Sequence, residues 1–209
     1  MTSKTLLVVP MKDPAEAKTR LAGSLSGAQR AALARLLFGR TLGLLEGLRT
    51  QGAFELAVVT GSTEIAAEAA CVESVAVIDE GPCAGLSGAV GASAAWATAR
   101  GFSRLCVVPA DIVAPLAADL LRFLSSPAEV TICPAADQGT NALLVSPPEA
   151  MEFCYGPKSA LRHYNAASDR GLDPVMMPLE SLSFDVDTSE CLAKALAVSP
   201  ELGQALEAV

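Results

Sequence analysis

Short apolar runs alternate along the chain with longer segments whose apolar residues recur at helical spacing. Residues 4–11, 54–60 and 75–78 form largely continuous apolar runs rich in β-branched side chains, which is typical of strands covered on both faces. Leucines at three- and four-residue steps predict a helix over residues 26–48, with Ser26 as its N-cap. An alanine-rich helix then separates the second strand from the third. This order predicts a doubly wound parallel sheet with right-handed crossovers.

The second half of the chain continues the alternation but predicts a mixed sheet. Strands at residues 129–134 and 142–145 are separated by a Gly-containing loop, which suggests an antiparallel edge or hairpin. The segment 182–188 is expected to close the sheet. Further helices are predicted over residues 89–100, 115–124, 160–168 and 190–198, with a helical turn or two after Pro200. We therefore expect one α/β domain over residues 1–209, built on a mostly parallel mixed sheet.

The apolar run at residues 105–108 leads through Pro-Ala to an acid, Asp111. Ligands of open parallel sheets bind beyond the carboxyl ends of the strands, so Asp111 is placed where a hard cation and a nucleotide phosphate would meet. In the alternative interpretation Asp111 only caps the following helix, with Pro115 in its first turn.

A basic loop follows the first strand. Residues 12–21 include Lys12, Lys18 and Arg20, and long cationic side chains next to backbone N–H groups can hold a triphosphate. The alternative is a solvated surface loop. The sequence contains neither GxxxxGK[ST] nor GxGxxG after this strand, which argues against a P-loop and against a dehydrogenase-type dinucleotide fold.

A glycine-rich segment at residues 79–88 follows the third strand. Glycines allow close backbone approach to a ligand, and the helix that follows supplies N–H donors. The segment could therefore contact a nucleobase or a phosphate, or it could be an ordinary turn.

Asp185 and Asp187 flank Val186 in an extended segment, so that both carboxylates point to one side. Like charges at this spacing are costly unless a cation neutralises them, which favours a divalent metal over a surface pair.

Three polar residues in the second half are further candidates. Thr140 lies at the mouth of the predicted hairpin, and Ser159 either caps a helix or binds an anion at its start. His163, the single histidine, lies on that helix. A lone helical histidine is more often structural than catalytic, so we leave it out of the catalytic set.

Composition excludes several classes of partner. A net charge of −8 disfavours nucleic acid and anionic membranes, and it means that an anionic substrate needs local cations or a metal. The apolar run near the N-terminus is too short for a signal sequence or a membrane span. Six cysteines without a CxxC pair predict reduced, buried thiols in a cytoplasmic protein; they are Cys71, Cys83, Cys106, Cys133, Cys154 and Cys191.

Five motifs in order along the chain resemble the CofC/FbiD guanylyltransferases, which make the phosphoacid part of coenzyme F420. They are Pro-Met-Lys-x4-Ala-Lys-Thr-Arg-Leu at 10–21, Pro-Ala-Asp at 109–111, Asp-x-Gly-Thr-Asn-Ala-Leu at 137–143, Tyr-Gly-Pro-x-Ser-x3-His at 155–163 and Phe-Asp-Val-Asp-Thr at 184–188. The resemblance implies a three-layer α/β/α nucleotidyltransferase of the glycosyltransferase-A type.

The resemblance also implies roles for individual residues. Asp111, Asp185 and Asp187 would hold divalent metal, expected to be Mg²⁺, and Asp111 and Lys18 would serve catalysis. The nucleotide would be bound by Pro10, Met11, Lys12, Lys18, Arg20, Gly85, Leu86 and Ser87. Thr140, Gly156 and Ser159 would contact the phosphate and carboxylate of the acceptor. Two departures from the family are Ser87 in place of the usual Asn, and Asp111-Ile-Val in place of Asp-Leu-Pro.

The expected reaction is transfer of GMP from GTP to a phosphorylated three-carbon acid, with release of pyrophosphate. The acid would be 2-phospho-L-lactate, phosphoenolpyruvate or 3-phospho-D-glycerate, between which the sequence does not distinguish. The alternatives are a molybdopterin-type or sugar-phosphate nucleotidyltransferase, and a non-catalytic GTP-binding module of the same fold. A homodimer is compatible with the family, although no stretch of the sequence indicates one.

Overall fold

The computed structural model describes residues 4–49, 54–82 and 85–209, and seven strands within these ranges form one sheet. The strands are β1 (Thr5–Pro10), β2 (Phe54–Thr60), β3 (Val75–Asp79), β4 (Arg104–Val107), β5 (Val130–Pro134), β6 (Thr140–Val145) and β7 (Pro174–Met176). Their order across the sheet is β3-β2-β1-β4-β6-β5-β7. Of the strands described, only β6 runs antiparallel to its neighbours, β4 and β5. The predicted mixed, mostly parallel sheet is confirmed.

Helices cover both faces of this sheet. They are α1 (Gly27–Arg49), α2 (Thr63–Ala70), α3 (Gly85–Ala99), α4 (Ala117–Leu124), α5 (Ser159–Ser168), α6 (Ser189–Val198) and α7 (Pro200–Glu207). Helices α1, α2 and α4 pack with one face of the sheet, and α3 and α5 pack with the other. The result is the predicted three-layer α/β/α arrangement.

The continuous apolarity of β1 follows from this two-sided covering. Leu7 and Val9 point into the core beneath α1, whereas Leu6 and Val8 point into the core beneath α3. All four side chains are fully buried. A strand that is half-exposed would instead alternate apolar and polar residues.

Helix α1 begins where the sequence predicts. The hydroxyl of Ser26 accepts a hydrogen bond from the backbone N–H of Gln29, and the Gln29 side chain accepts one from the N–H of Ser26. This reciprocal pair is a capping box.

A third apolar cluster lies beside the sheet and joins the end of the chain to α1. Its buried members include Leu33 and Leu37 of α1, Leu192 of α6, and Val113 and Val186 from two loops. The cluster therefore holds the segment after β4 next to the segment before α6.

Several elements differ from the sequence prediction. Helix α3 begins at Gly85 rather than residue 89, so that the predicted glycine loop at residues 85–88 is its first turn. Helix α4 begins at Ala117, after Pro115. Segment 182–188 does not add a strand to the sheet; its only pairing among the described residues is an isolated bridge between Asp185 and Ile112. The sheet edge is instead β7, which the sequence did not indicate because it is three residues long and half-exposed.

The five cysteines within the described ranges are all free thiols. Cys106 and Cys133 are buried, as predicted, but Cys71 is exposed and Cys154 and Cys191 are partly exposed, so burial was wrongly predicted for these three. Cys83 lies outside the described residues. None of the helices described is both long and apolar enough to span a membrane.

Candidate active site

The first part of the candidate site lies beyond the carboxyl ends of β1 and β4. The backbone N–H of Val108 donates to the Val8 carbonyl, which extends the pairing of these strands towards Asp111. The bridge between Ile112 and Asp185 then brings Asp111 next to the segment that carries the other two acids. Residues that are far apart in sequence thus meet at one edge of the sheet.

The position of Asp185 and Asp187 follows from the residue between them. Val186 is fully buried in the third apolar cluster. In an extended segment alternate side chains point to opposite sides, so the two carboxylates face away from that cluster and remain partly exposed. The structure thus brings Asp111, Asp185 and Asp187 together, as predicted.

Lys18 is the cation at the centre of these acids. Its ammonium Nζ lies 2.5 Å from Oδ2 of Asp111 and 3.1 Å from Oδ1 of Asp187, and only 5% of its side chain is exposed. Burial alone would lower its pKa, but the two carboxylates outweigh burial and raise it. Arg20 lies 3.5 Å from the other oxygen of Asp187, with a solvent-exposed side chain.

The surroundings of Asp185 disfavour its ionised form. Burial, followed by the charges of Asp111 and Asp187, raises the pKa of Asp185 from 3.8 to about 6. Three carboxylates here face one buried ammonium and one exposed guanidinium, so charge favours a further cation. Carboxylate oxygens are the ligands that Mg²⁺ prefers. In the present arrangement two of these carboxylates bind Lys18, and no group of three or more His, Cys, Asp or Glu side chains among the described residues is arranged to hold a metal ion.

The second part of the candidate site is a buried polar group between β6 and α5. The hydroxyls of Thr140 and Ser159 lie 2.9 Å apart, and Nδ1 of His163 lies 3.0 Å from the Thr140 hydroxyl. Nε2 of His163 accepts a 2.8 Å hydrogen bond from the backbone N–H of Cys154. Both ring nitrogens of His163 are therefore hydrogen-bonded within the fold, which agrees with the structural role expected from the sequence.

The start of α5 differs from its predicted form. Lys158, in a left-handed conformation, is the N-cap, and Ser159 is the first helical residue rather than the cap. The backbone N–H of Ser159 donates to the Gly156 carbonyl, and that of Ala160 donates to the Gln138 carbonyl. Because both amides are already paired, the group that Ser159 offers to a ligand is its hydroxyl. Gly156 adopts φ +119°, a conformation that favours glycine.

The turn between β5 and β6 connects the two parts. The N–H of Ala136 donates to the carbonyl of Ser183, two residues before Asp185, and the carbonyl of Gln138 accepts from α5. The charge of Asp137 also contributes to the raised pKa of Asp185. Residues 135–139 therefore place the acid cluster (Asp111, Asp185 and Asp187) and the hydroxyl pair (Thr140 and Ser159) at the same end of the sheet.

The other predicted nucleotide-binding residues lie at the end of β1 and at the start of α3. Pro10 ends β1, the N–H of Met11 donates to the Val59 carbonyl, and Lys12 is exposed. Gly85, Leu86 and Ser87 form the first turn of α3, with Gly85 at φ +79° and Leu86 partly exposed.

Ser87 has a partner that the sequence did not indicate. Its hydroxyl accepts a hydrogen bond of 3.0 Å from the backbone N–H of Tyr155. The first turn of α3 is thereby joined to the loop before α5, and one lone pair of the hydroxyl is already used.

Asn141 was expected at the mouth of the hairpin together with Thr140, but it was assigned no role. It is buried, and its side-chain Nδ2 has no hydrogen-bond partner within the described residues. It lies where the pairing of β5 and β6 shifts register. A buried unpaired donor is costly, so Nδ2 of Asn141 is a further candidate to donate to a ligand that binds near Thr140.

Comparison with solved structures shows the fold class. The structure matches a protein of Desulfovibrio desulfuricans G20 described as a nucleotide-diphospho-sugar transferase, with a TM-score of 0.73 over 99% of this chain and 98% of that one, at 17% sequence identity. At this identity the likeness shows the fold alone. The chain therefore has the fold of the nucleotidyltransferases, with Asp111, Asp185 and Asp187 gathered at one end of its sheet.

Sequence comparison defines the family. Residues 5–198 match the family Guanylyl transferase CofC like, and the chain belongs to it. Over 206 residues it is 37% identical to the 3-phospho-D-glycerate guanylyltransferase of Colwellia psychrerythraea, covering 97% of this chain and 96% of the relative. It is 32% identical over 191 residues to the phosphoenolpyruvate guanylyltransferase of Rubrobacter xylanophilus, covering 90% and 91%. The family predicted from the five motifs is confirmed.

Proposed function

We propose that the protein transfers GMP from GTP to a small phosphorylated three-carbon acid and releases pyrophosphate, as a cytoplasmic step of coenzyme F420 biosynthesis. The observation that carries this proposal is the joining of the acid cluster to the buried hydroxyl pair through residues 135–139. The acid cluster suits a triphosphate with its cation, and the hydroxyls suit a second, smaller anion. Family membership supports the guanylyl donor, and the five free thiols support a reducing compartment.

The chemistry is an in-line displacement at the α-phosphorus. A phosphate oxygen of the acceptor forms a new P–O bond to the α-phosphorus, and the bond from the α-phosphorus to the bridging oxygen breaks, so that pyrophosphate carries away the electron pair. No covalent enzyme intermediate is needed, because positioning and charge neutralisation supply the rate.

In this proposal Asp111, Asp185 and Asp187 hold Mg²⁺, which would polarise the α-phosphate and shield the two anionic substrates from each other. Lys18 positions Asp111 and Asp187 through its two ion pairs. Arg20 and Lys12, both exposed, face the GTP phosphates.

The guanosine is assigned to the edge formed by Pro10 and Met11 together with the first turn of α3. Gly85 and Leu86 are exposed at that turn, so they offer backbone groups and an apolar side chain to a ligand. The oxygen of the Ser87 hydroxyl already accepts a hydrogen bond from the backbone N–H of Tyr155. The hydroxyl hydrogen is still available to be donated to the nucleotide.

The acceptor is assigned to Thr140, Gly156 and Ser159. Two similar proteins are named for 3-phospho-D-glycerate and phosphoenolpyruvate, and 2-phospho-L-lactate carries the same pair of anionic groups. These acids differ by a few atoms, so we expect one preferred acceptor with measurable turnover of the others.

The test is to incubate the protein with Mg²⁺, each of the four nucleoside triphosphates and each of the three acids, and to identify products by mass spectrometry. We expect a guanylylated acid and pyrophosphate with GTP only. Transfer to a sugar phosphate or a pterin instead, in a parallel panel, would show the wrong acceptor class. GTP binding without product under every condition would favour a non-catalytic module.

A further inference from the structure

The hydrogen-bond pattern of His163 determines where its proton lies. The imidazole is fully buried, and its Nε2 accepts from the backbone N–H of Cys154 at 2.8 Å. A neutral imidazole has one N–H, which must then be on Nδ1. Nδ1 therefore donates to the hydroxyl oxygen of Thr140, 3.0 Å away.

Because His163 donates to Thr140, one hydroxyl hydrogen of Thr140 or Ser159 is left without an acceptor. The hydroxyls of Thr140 and Ser159 carry one hydrogen each, and one of these two makes the 2.9 Å bond between them. The Nδ1–H of His163 already fills an acceptor position on Thr140. The other hydroxyl hydrogen has no acceptor among the residues described, and both residues are buried. A second unpaired donor, Nδ2 of Asn141, adjoins Thr140 in the chain.

We propose that His163 is a positioning residue for the acceptor: its Nδ1–H fixes the orientation of the Thr140–Ser159 hydroxyl pair so that the remaining hydrogen is presented to an anionic oxygen of the acceptor acid. This inference rests on the proposed function and goes beyond it, because it assigns a role to a residue that does not itself touch the substrate.

The other side of the ring supports the same role. Cys154 lies in the loop that leads to Gly156, and the ring of Tyr155 meets the imidazole edge-on with centroids 4.8 Å apart. One imidazole thus holds both the loop that contains Gly156 and the hydroxyl pair. Burial, helped by the positive charge of Arg162, lowers the pKa of His163 to about 4, so the ring stays neutral at ordinary pH.

The experiment compares a substitution that keeps a donor to Thr140 with one that keeps neither hydrogen bond. His163→Asn retains a short amide that can donate to Thr140, whereas His163→Leu removes both hydrogen bonds. Leu161→Ala, at an exposed position of the same helix, is the matched control. KM for the acceptor, KM for GTP and kcat are measured for each variant, with thermal unfolding as the check on folding.

We expect His163→Leu to raise the acceptor KM by about tenfold, a change that corresponds to one lost charge-assisted hydrogen bond, with the GTP KM within about twofold of wild type. His163→Asn should recover most of the loss. Equal changes in both KM values, or no difference between Asn and Leu, would overturn the inference, because a merely structural histidine would act on the whole site.

A second comparison covers the case in which His163→Leu does not fold. Thr140→Ser keeps the hydroxyl and should stay within about threefold of wild type in acceptor KM, whereas Thr140→Val should raise it by about tenfold. Adding His163→Asn to Thr140→Val should not raise the acceptor KM further, since the hydrogen bond from His163 to the Thr140 hydroxyl is already lost. Fully additive increases in KM would contradict the proposal that His163 acts through Thr140.

A wrong function and a wrong role for His163 give different results. If the wild-type protein guanylylates no phosphorylated acid, the proposed function is wrong and the inference falls with it. If the wild type is active but the variants change both KM values together, the function stands and only the role of His163 is wrong.

Discussion

The ammonium of Lys18 lies 3.1 Å from a carboxylate oxygen of Asp187, although the two residues are 169 positions apart in the chain. The same ammonium binds Asp111. Lys18 itself adopts a left-handed conformation, with φ 54°, between two short 3-10 turns. The loop after β1 is therefore held in place by the acid cluster, and the acid cluster is held together by this loop.

We expect Lys18→Met to destabilise the protein by about 2 kcal/mol. Removing one partner of a buried ion pair leaves the others uncompensated, which costs 3–5 kcal/mol when all are buried, and the partial exposure of Asp111 and Asp187 reduces this. Urea unfolding measures the loss. Lys12→Met, at an exposed position of the same loop, should change stability by less than about 0.5 kcal/mol.

Added Mg²⁺ distinguishes charge compensation from lost packing. If the cost comes from repulsion between the carboxylates, millimolar Mg²⁺ should restore more stability to Lys18→Met than it adds to the wild type. An equal gain in both proteins would show that the acids do not form a cation site.

Asp185→Asn should stabilise the protein at neutral pH in the presence of EDTA, by about 1–2 kcal/mol after allowance for partial exposure. The folded-state pKa of about 6 lies above the ordinary value of 3.8, so the folded state disfavours the ionised form. Above pH 6 the carboxylate is ionised in both states and the penalty is complete. Below about pH 4 it is protonated in both states and the penalty disappears.

The measurement is the difference in unfolding free energy between Asp185→Asn and wild type from pH 8 to pH 4. It should shrink steadily as the pH falls through 6. A difference that is independent of pH would contradict the assigned charge, and the matched variant Asp169→Asn, at an exposed position, should show little difference at any pH.

Much of the site could be predicted from sequence because its acids follow a buried strand or flank a buried valine. Asp111 ends an apolar run, and Val186 fixes the side on which Asp185 and Asp187 lie. In both cases the position of the acid follows from the burial of its neighbours in the sequence. Lys18 was predicted to bind the nucleotide. Its ammonium is instead paired with Asp111 and Asp187, and no local sequence pattern shows such contacts between distant parts of the chain.

The unpredicted features depend on neighbours distant in sequence. Strand β7 has three residues and exists because β5 offers it a parallel edge. Ser87 and Tyr155 meet only because α3 and the loop before α5 share one face of the sheet. The early start of α3 has a local origin instead: its first residue, Gly85, adopts φ +79°, a conformation that favours glycine.

Asn141→Leu should stabilise the free protein by about 1 kcal/mol and weaken acceptor binding. The buried Nδ2 has no partner among the described residues, and replacing an unpaired polar group with an apolar one of similar shape removes its desolvation cost. Thermal unfolding and the acceptor KM are measured together. A loss of stability with an unchanged KM would indicate that Nδ2 serves the fold alone.

Asp111→Asn should reduce kcat at least 100-fold while the protein remains folded. The substitution keeps the shape of the side chain but removes the charge that faces Lys18 and, in the proposed function, the metal; removing one such electrostatic group typically costs 10²–10³ in kcat. Pyrophosphate release under saturating GTP, Mg²⁺ and acceptor is the assay, and circular dichroism checks the fold.

Asp187→Asn should reduce kcat in the same way, because its carboxylate binds the same ammonium of Lys18. Asp169→Asn should retain full activity. Near-normal rates in both Asp111→Asn and Asp187→Asn would mean that the acid cluster only stabilises the loop after β1, and that guanylyl transfer does not depend on it.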